Sequence, residues 1–137
     1  MAKLLDGKKV AAALKEKQRT AAAELKLKGV IPTLGIIRIG GRKEDLAYEN
    51  GVIRRCRDAG VAVNAYALPS DAAQSDLLAL IDKLNNDNFV HGILMFRPLP
   101  EHISIETVRG ALSVKKDVDG VGDGSLAGLL TGAAKGF

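Results

Sequence analysis

Three short segments of this sequence carry groups that could meet a ligand. Lys116-Asp-Val-Asp-Gly120 places two carboxylates, which are hydrogen-bond acceptors, two residues apart and before a glycine. Arg97-Pro-Leu-Pro100 has prolines at alternate positions, which predict an extended, stiff backbone whose carbonyls stay free for a flat polar ligand. Gly40-Gly41 fits neither the dinucleotide nor the phosphate-loop pattern and predicts no nucleotide site. A turn with solvated acids and a simple strand terminator are the plainer interpretations of the first two segments.

Alternating helices and strands must position these segments. Asp6 is a predicted N-cap of a first helix, on which Val10, Leu14, Ala21 and Leu25 form one apolar stripe. The elements expected after it are a strand at 33–39, a helix at 42–58, a strand at 61–68, a helix around 77–84 and a strand at 92–96. The predicted strands are apolar runs and do not alternate between apolar and polar residues, which is typical of a parallel sheet. We therefore expect an α/β fold of three layers, αβα, with helices on both faces of a parallel sheet and ligands beyond the carboxyl ends of its strands.

Composition narrows the function classes. The 137 residues are 47% hydrophobic and 26% charged, which suits one soluble domain, or one domain and the start of a second. The net charge of +4 arises in residues 1–28, with eight Lys/Arg and three Asp/Glu, so a solvated helix face explains it and no nucleic-acid partner is expected. No apolar run is long enough for a membrane span, and no signal peptide is evident, so we expect a cytoplasmic protein. The single Cys56 predicts neither a disulfide nor a metal site.

Seven motifs follow one another along the chain in a specific order. They are Asp6-Gly-Lys8, Pro32-Thr-Leu34, Tyr48, Gly60-Val61, His91-Gly-Ile-Leu94, Pro98-Leu-Pro100 and Lys116-Asp-Val-Asp-Gly120. Their order and spacing resemble the N-terminal domain of the methylenetetrahydrofolate dehydrogenase/cyclohydrolase family. The resemblance implies an enzyme of one-carbon metabolism that oxidises 5,10-methylenetetrahydrofolate with NAD or NADP, and then hydrolyses the methenyl product.

The resemblance also implies a domain organisation. Residues 1–125 would be the folate-binding catalytic domain of a two-domain enzyme, and residues 126–137 would begin the crossing to a Rossmann domain. That second domain would follow this chain and would hold NAD or NADP. Without the cofactor the chain alone should not oxidise a folate substrate. The full-length protein would be a homodimer.

Two departures from the family pattern concern the hydrolytic step. The family places a serine, a tyrosine and a lysine on one helix face, and this sequence has Asp45, Tyr48 and Val52 there. The family's glutamine, which holds and tunes that lysine, corresponds to Phe96. Valine has no ionisable group for acid–base catalysis, and phenylalanine cannot hydrogen-bond to a lysine. We therefore predict a dehydrogenase with weak or absent cyclohydrolase activity.

The resemblance assigns roles to the matching residues. Tyr48, the one catalytic residue expected, would pack its ring against the pterin and aminobenzoyl region, and Asp119 would accept hydrogen bonds from the pterin. Pro98, Leu99 and Pro100 would wall the pocket. The complete predicted folate site is Tyr48, Val52, Phe96, Arg97, Pro98, Leu99, Pro100 and Asp119.

Several residues near these motifs have other predicted roles. Arg97, where the family usually has an aliphatic residue, could meet a folate glutamate, pair with Asp45 or face solvent. We expect Asp117 to be a turn residue, His91 to be structural and His102 to lie on the surface. Cys56 should pack as a small apolar group.

Two alternatives to the dehydrogenase remain open. The chain could be a non-catalytic folate-binding or regulatory module that has lost its chemistry with the lysine and the glutamine. It could also belong to a bifunctional enzyme with an altered hydrolytic site.

Overall fold

The alternation of helices and strands predicted from the sequence is confirmed in a computed structural model, which describes residues 6–119. The elements in chain order are α1 (Gly7–Leu27), β1 (Thr33–Ile39), α2 (Lys43–Ala59), β2 (Ala62–Leu68), α3 (Gln74–Asn85), β3 (Gly92–Met95) and α4 (Ile105–Ala111). None of the helices among these residues is long and apolar enough to cross a membrane.

The three strands form a parallel sheet with β1 at its centre. β2 and β3 pair with β1 on either side, with Thr33 opposite Ala62 and Leu34 opposite Gly92. A further short segment lies along β3, because the Ile93 amide donates to the Lys116 carbonyl at 2.6 Å and the Val118 amide donates to the Ile93 carbonyl at 3.4 Å. Parallel strands place their carboxyl ends at one edge, so the residues after β1, β3 and Val118 meet there.

Neighbouring residues of the strands pack on opposite faces of the sheet. Ile36, Leu94 and Phe96 form one buried cluster, against which Val52 and Ile53 of α2 pack. Ile37, Ile93 and Met95 belong to a second, larger cluster with buried side chains of α3 and α4. Because successive strand side chains alternate between faces, both faces of the sheet are covered by helices. The predicted three-layer α/β fold is confirmed.

The burial of β2 differs from the sequence prediction. We expected apolar runs, but Val63, Tyr66 and Leu68 are half-buried while Ala62 and Asn64 are exposed. In the sheet of residues 6–119, β2 is an edge strand, and an edge strand is less completely covered than a central one. The prediction was correct for β3, all four residues of which are buried.

The apolar stripe predicted on α1 is also largely exposed. Val10 is 53% and Leu14 is 52% exposed, and Ala22 is the one buried residue of the helix. The helix packs against α2, where the Arg19 side chain donates to the Asp58 carbonyl at 2.7 Å. A helix that rests on another helix rather than on the sheet buries only a narrow face. The predicted N-cap is confirmed, since the Asp6 carboxylate accepts from the Lys8 and Lys9 amides.

Lys116 anchors the segment that carries the two aspartates. Its Nζ donates to the Leu84 and Asp87 carbonyls at the end of α3, both at 2.7 Å. A cation suits the carbonyl-rich end of a helix. Desolvation in this position lowers the pKa of Lys116. These contacts fix the approach of the chain to the carboxyl edge of the sheet.

Gly60, the residue that ends α2, has a left-handed backbone conformation whose importance can be tested by substitution. Gly60 has a φ of +80°, and a Cβ added to it would meet the Ala22 Cβ at 3.3 Å. Gly51, inside the same helix, has open space around the same position. We expect Gly60→Ala to lower the free energy of unfolding by about 1–2 kcal/mol, because the left-handed conformation disfavours a side chain. Gly51→Ala should raise it by about 0.5–1 kcal/mol. Urea unfolding measures the change in the free energy of unfolding for each variant. Changes of equal size and direction in the two variants would contradict this interpretation.

Candidate active site

A cavity of about 340 Å³ opens at the carboxyl edge of the sheet. Its lining comes from the first half of α2, from the end of β3 and from the segment after Lys116. The lining residues are Glu44, Asp45, Tyr48, Leu94, Met95, Phe96, Arg97 and Asp119. Four of the predicted site residues, Tyr48, Phe96, Arg97 and Asp119, therefore lie around one cavity.

An ion pair fixes α2 beside this cavity. The Arg38 Nε at the end of β1 lies 2.5 Å from the Glu49 Oε2 on α2, and both side chains are largely buried. The Arg38 guanidinium also donates to the Gly40 carbonyl. Gly40, with a φ of +79°, turns the chain from β1 towards α2. Glu49 follows Tyr48 directly, so this pair holds the turn of helix that presents the tyrosine.

Tyr48 and Phe96 are in aromatic contact at the cavity wall. Their ring centroids are 5.2 Å apart with an interplanar angle of 57°, a tilted arrangement that is favourable for two aromatic rings. Tyr48 is exposed, whereas Phe96 is buried. Phe96 belongs to the same apolar cluster as Val52, which lies one helical turn after Tyr48. The two positions that the resemblance assigns to the family's lysine and glutamine are therefore apolar and belong to one cluster, although Val52 itself is not among the residues that line the cavity.

The charged residues of the cavity are unevenly paired. Asp45 accepts two hydrogen bonds from Arg42, with Nε–Oδ2 at 2.9 Å and Nη2–Oδ1 at 3.0 Å. These bonds, and the charge of Asp45, raise the pKa of the Arg42 guanidinium. No carboxylate of residues 6–119 lies within 4.0 Å of a nitrogen of Arg97. The pairing of Arg97 with Asp45, one of the three predicted possibilities, is therefore not formed.

The proline segment lies differently from the prediction. The backbone bends at Arg97 and Pro98, whose peptide bond is cis, so the segment is not extended throughout. The Pro100 carbonyl accepts from the Ile103 amide at 3.0 Å, and the prediction of free carbonyls is wrong at that residue. Leu99 packs against the larger core cluster, and Pro98, Leu99 and Pro100 do not line the cavity. Their contact with a folate stays a prediction.

The two aspartates occupy different environments. Asp119 is exposed at the cavity, but Asp117 is only 1% exposed. The prediction of a solvated turn at Asp117 is wrong, because the residue lies in the short segment that pairs with Ile93. The spacing of the two aspartates in the sequence could not distinguish a turn from a short segment that pairs with the sheet.

Both histidines form contacts with backbone atoms. His91 Nδ1 accepts from the Thr33 amide at 3.0 Å, at the edge of the sheet opposite the cavity, which confirms its structural role. His102 is exposed as predicted, and its Nε2 lies 2.7 Å from the Ala72 carbonyl. Neither histidine lines the cavity. Within residues 6–119, no group of three or more His, Cys, Asp or Glu side chains could hold a metal ion.

Glu44 is a cavity residue that the sequence analysis missed. It lies in the first turn of α2, directly before Asp45. Acidic residues in a first helical turn usually complement the helix dipole, so its type and position gave no separate functional signal. Its neighbour Asp45 was identified only through the family pattern.

Comparisons with known proteins agree with the fold. A sequence model of the tetrahydrofolate dehydrogenase/cyclohydrolase catalytic domain matches residues 5–119. The chain belongs to this family. The bifunctional protein FolD of Carboxydothermus hydrogenoformans is 39% identical over 137 residues, which are all of this chain and 48% of that protein.

Solved structures of the family have the same fold. The crystal structure of FolD from Campylobacter jejuni has a TM-score of 0.92 and 36% identity, and the match covers 98% of this chain and 48% of that one. FolD from Trypanosoma brucei, complexed with NADP cofactor and inhibitor, has a TM-score of 0.85 and 26% identity over 98% of this chain and 46% of its own. The chain thus spans about half the length of these family members.

Cys56 lies outside the cavity, and its environment predicts low reactivity. It is half-buried and lines a separate apolar cavity of about 330 Å³ together with Leu34, Val61 and Val118. Desolvation raises the pKa of its thiol. Since the thiolate is the reactive form, we expect iodoacetamide to modify native Cys56 at least about tenfold more slowly than the urea-unfolded chain at pH 8. Equal rates would contradict the packing described for this residue.

The same raised pKa predicts a loss of stability in alkaline solution. The unfolded chain releases the thiol proton at about pH 8.5, and the folded chain releases it only at higher pH. The contribution of the thiol to stability is therefore complete below that pH and declines above it. Cys56→Ala should make the free energy of unfolding less dependent on pH between about 8 and 10. An unchanged pH dependence in this variant would overturn the interpretation.

Proposed function

We propose that this chain is the folate-binding part of an NAD(P)-dependent 5,10-methylenetetrahydrofolate dehydrogenase whose cyclohydrolase activity is weak or absent. The observation that carries the proposal is the apolar cluster that contains Phe96, against which Val52 packs, together with the contact of Phe96 with Tyr48 at the cavity wall. A lysine that handles protons, and a polar partner to orient it, would both be needed at these positions for the family's hydrolysis. The chain has neither group there.

Hydrolysis of a methenyl group requires a water molecule to attack the one-carbon unit and to lose a proton. A positioned base of suitable pKa accelerates that step. Val52 and Phe96 cannot accept a proton, and the Asp45 oxygens already accept hydrogen bonds from Arg42. Val52, Phe96 and Asp45 therefore supply no free base at the position from which the family's lysine would act.

Hydride transfer requires less of these side chains. The nicotinamide cofactor supplies the redox chemistry when it is bound, and the protein must hold the one-carbon unit in a productive orientation. The exposed Asp119 suits the hydrogen-bond donors of the pterin, and the Tyr48 ring suits its flat face. Both residues border one cavity beyond the carboxyl ends of the strands, where α/β proteins bind their ligands.

The cofactor site is proposed outside this chain. Gly40-Gly41 only turns the chain into α2, and residues 6–119 contain no glycine-rich nucleotide-binding turn. The Trypanosoma brucei relative is described as complexed with NADP, which supports a nicotinamide cofactor for the full-length protein. The choice between NAD and NADP, the homodimer, the cytoplasmic location and the domain boundary at residue 125 stay predictions.

A bifunctional enzyme with an altered hydrolytic site is the second candidate. Glu44 lines the cavity, and its carboxylate has no ion-pair partner within residues 6–119. A carboxylate in this position could replace the lysine as a base. The dehydrogenase proposal and this alternative differ only in the rate of hydrolysis.

Both activities can be measured on the full-length gene product. We expect methylenetetrahydrofolate-dependent reduction of NAD or NADP, and hydrolysis of methenyltetrahydrofolate close to the spontaneous rate. Hydrolysis well above that rate would establish the bifunctional alternative, and Glu44→Gln would then test its base. Absence of dehydrogenase activity together with tight folate binding would instead favour a non-catalytic folate-binding module. The 137-residue chain alone should be inactive.

Restoring the missing acid–base unit should create cyclohydrolase activity. We expect Val52→Lys with Phe96→Gln to raise hydrolysis about 10²-fold or more over the unmodified enzyme, because a lysine with a lowered pKa can act as the base. Val52→Met with Phe96→Gln is the matched control, since it has similar length and no ionisable group. Equal hydrolysis by the two double variants would show that apolar packing at these positions does not limit the reaction. Thermal unfolding of both variants checks that the fold persists.

A further inference from the structure

We propose that Arg97 binds a carboxylate of the glutamate end of the folate and makes this site selective for glutamylated folates. The inference rests on the proposed function, since it assumes that a folate occupies the cavity. It adds a specificity-determining residue to that site. An aliphatic side chain at this position could not form this contact.

The backbone places Arg97 firmly at the cavity. The preceding Phe96 is buried, and its amide donates to the Ile37 carbonyl of the central strand at 2.9 Å. Arg97 is the next residue, lines the cavity and is exposed. The strand end is therefore fixed, while the exposed Arg97 side chain borders the cavity and can meet a ligand there.

Among the described residues, Arg97 is the one cationic side chain in the lining of this cavity. The other ionisable groups there are Tyr48 and the carboxylates of Glu44, Asp45 and Asp119. Asp45 is held by both of its oxygens on Arg42, and neither Glu44 nor Asp119 lies within 4.0 Å of a nitrogen of Arg97. The Arg97 guanidinium thus has no ion-pair partner among the described residues and remains available to an anion.

A reduced folate matches this arrangement of groups. It carries hydrogen-bond donors on the pterin, an aromatic ring in the middle and carboxylates at the glutamate end. Asp119 suits the donors, and the Tyr48 and Phe96 rings suit the aromatic part. The acidic lining would repel the glutamate carboxylates, and the planar fork of Arg97 offsets that repulsion by a bidentate contact.

The test compares two ligands that differ only in the glutamate. Tetrahydrofolate and tetrahydropteroate are titrated against the full-length protein by calorimetry, under anaerobic conditions. We expect Arg97→Leu to weaken tetrahydrofolate binding about two- to fivefold, the range for an exposed ion pair, and to leave tetrahydropteroate binding unchanged. Arg97→Lys, which keeps the charge but loses the fork, should give an intermediate affinity. The difference between the ligands should also shrink as salt is added.

Arg55→Leu is the matched control, because it removes the same charge at a position outside the cavity. Arg55 lies on α2, near Lys15 and Asp58. It should change neither affinity. If Arg97→Leu weakens both ligands equally, or weakens neither, the carboxylate contact is wrong while folate binding stands. If the unmodified protein binds neither ligand, the proposed function and this inference fall together.

Discussion

The pairing of the central strand β1 with a parallel neighbour on each side is the constraint on which the other features depend. Because the strands run in the same direction, every chain segment that follows a strand leaves the sheet at the same edge. The short segment around Asp117 extends this arrangement by pairing with Ile93. Residues from α2, from the end of β3 and from the region of Asp119 meet there, although they are far apart in sequence.

The alternation of side chains across the sheet then decides what the cavity contains. Phe96 continues the face that carries Ile36 and Leu94, so its ring is directed to the same side as α2. There it meets Tyr48 and lies in one apolar cluster with Val52. Two residues that are distant in sequence thus belong to one apolar cluster, and this supports the proposed loss of an acid–base unit. Apolar packing of this kind avoids the cost of a buried lysine without its partner.

The charges around the cavity show a second consequence of the same geometry. Arg42 and Asp45 are neighbours on one helical turn and satisfy each other, while Arg97 comes from a strand end and has no such neighbour. Local pairs of this kind follow from helical spacing. The exposed Arg97 side chain therefore stays open to solvent or to a ligand, within the part of the chain that the structure describes.

The order and type of the elements from α1 to β3, the three-layer fold and the family could be predicted from the sequence, because helix periodicity, apolar strands and glycine stops are local signals. The short helix α4 was not predicted. The exposure of the α1 stripe, the burial of Asp117 and the position of Leu99 in the core could not be predicted. Each depends on which other element packs against the residue, and local patterns do not contain that information. The contact of Phe96 with Tyr48, and the lack of an ion-pair partner for Arg97 within residues 6–119, depend on tertiary packing, because parallel pairing determines which distant residues share one edge of the sheet.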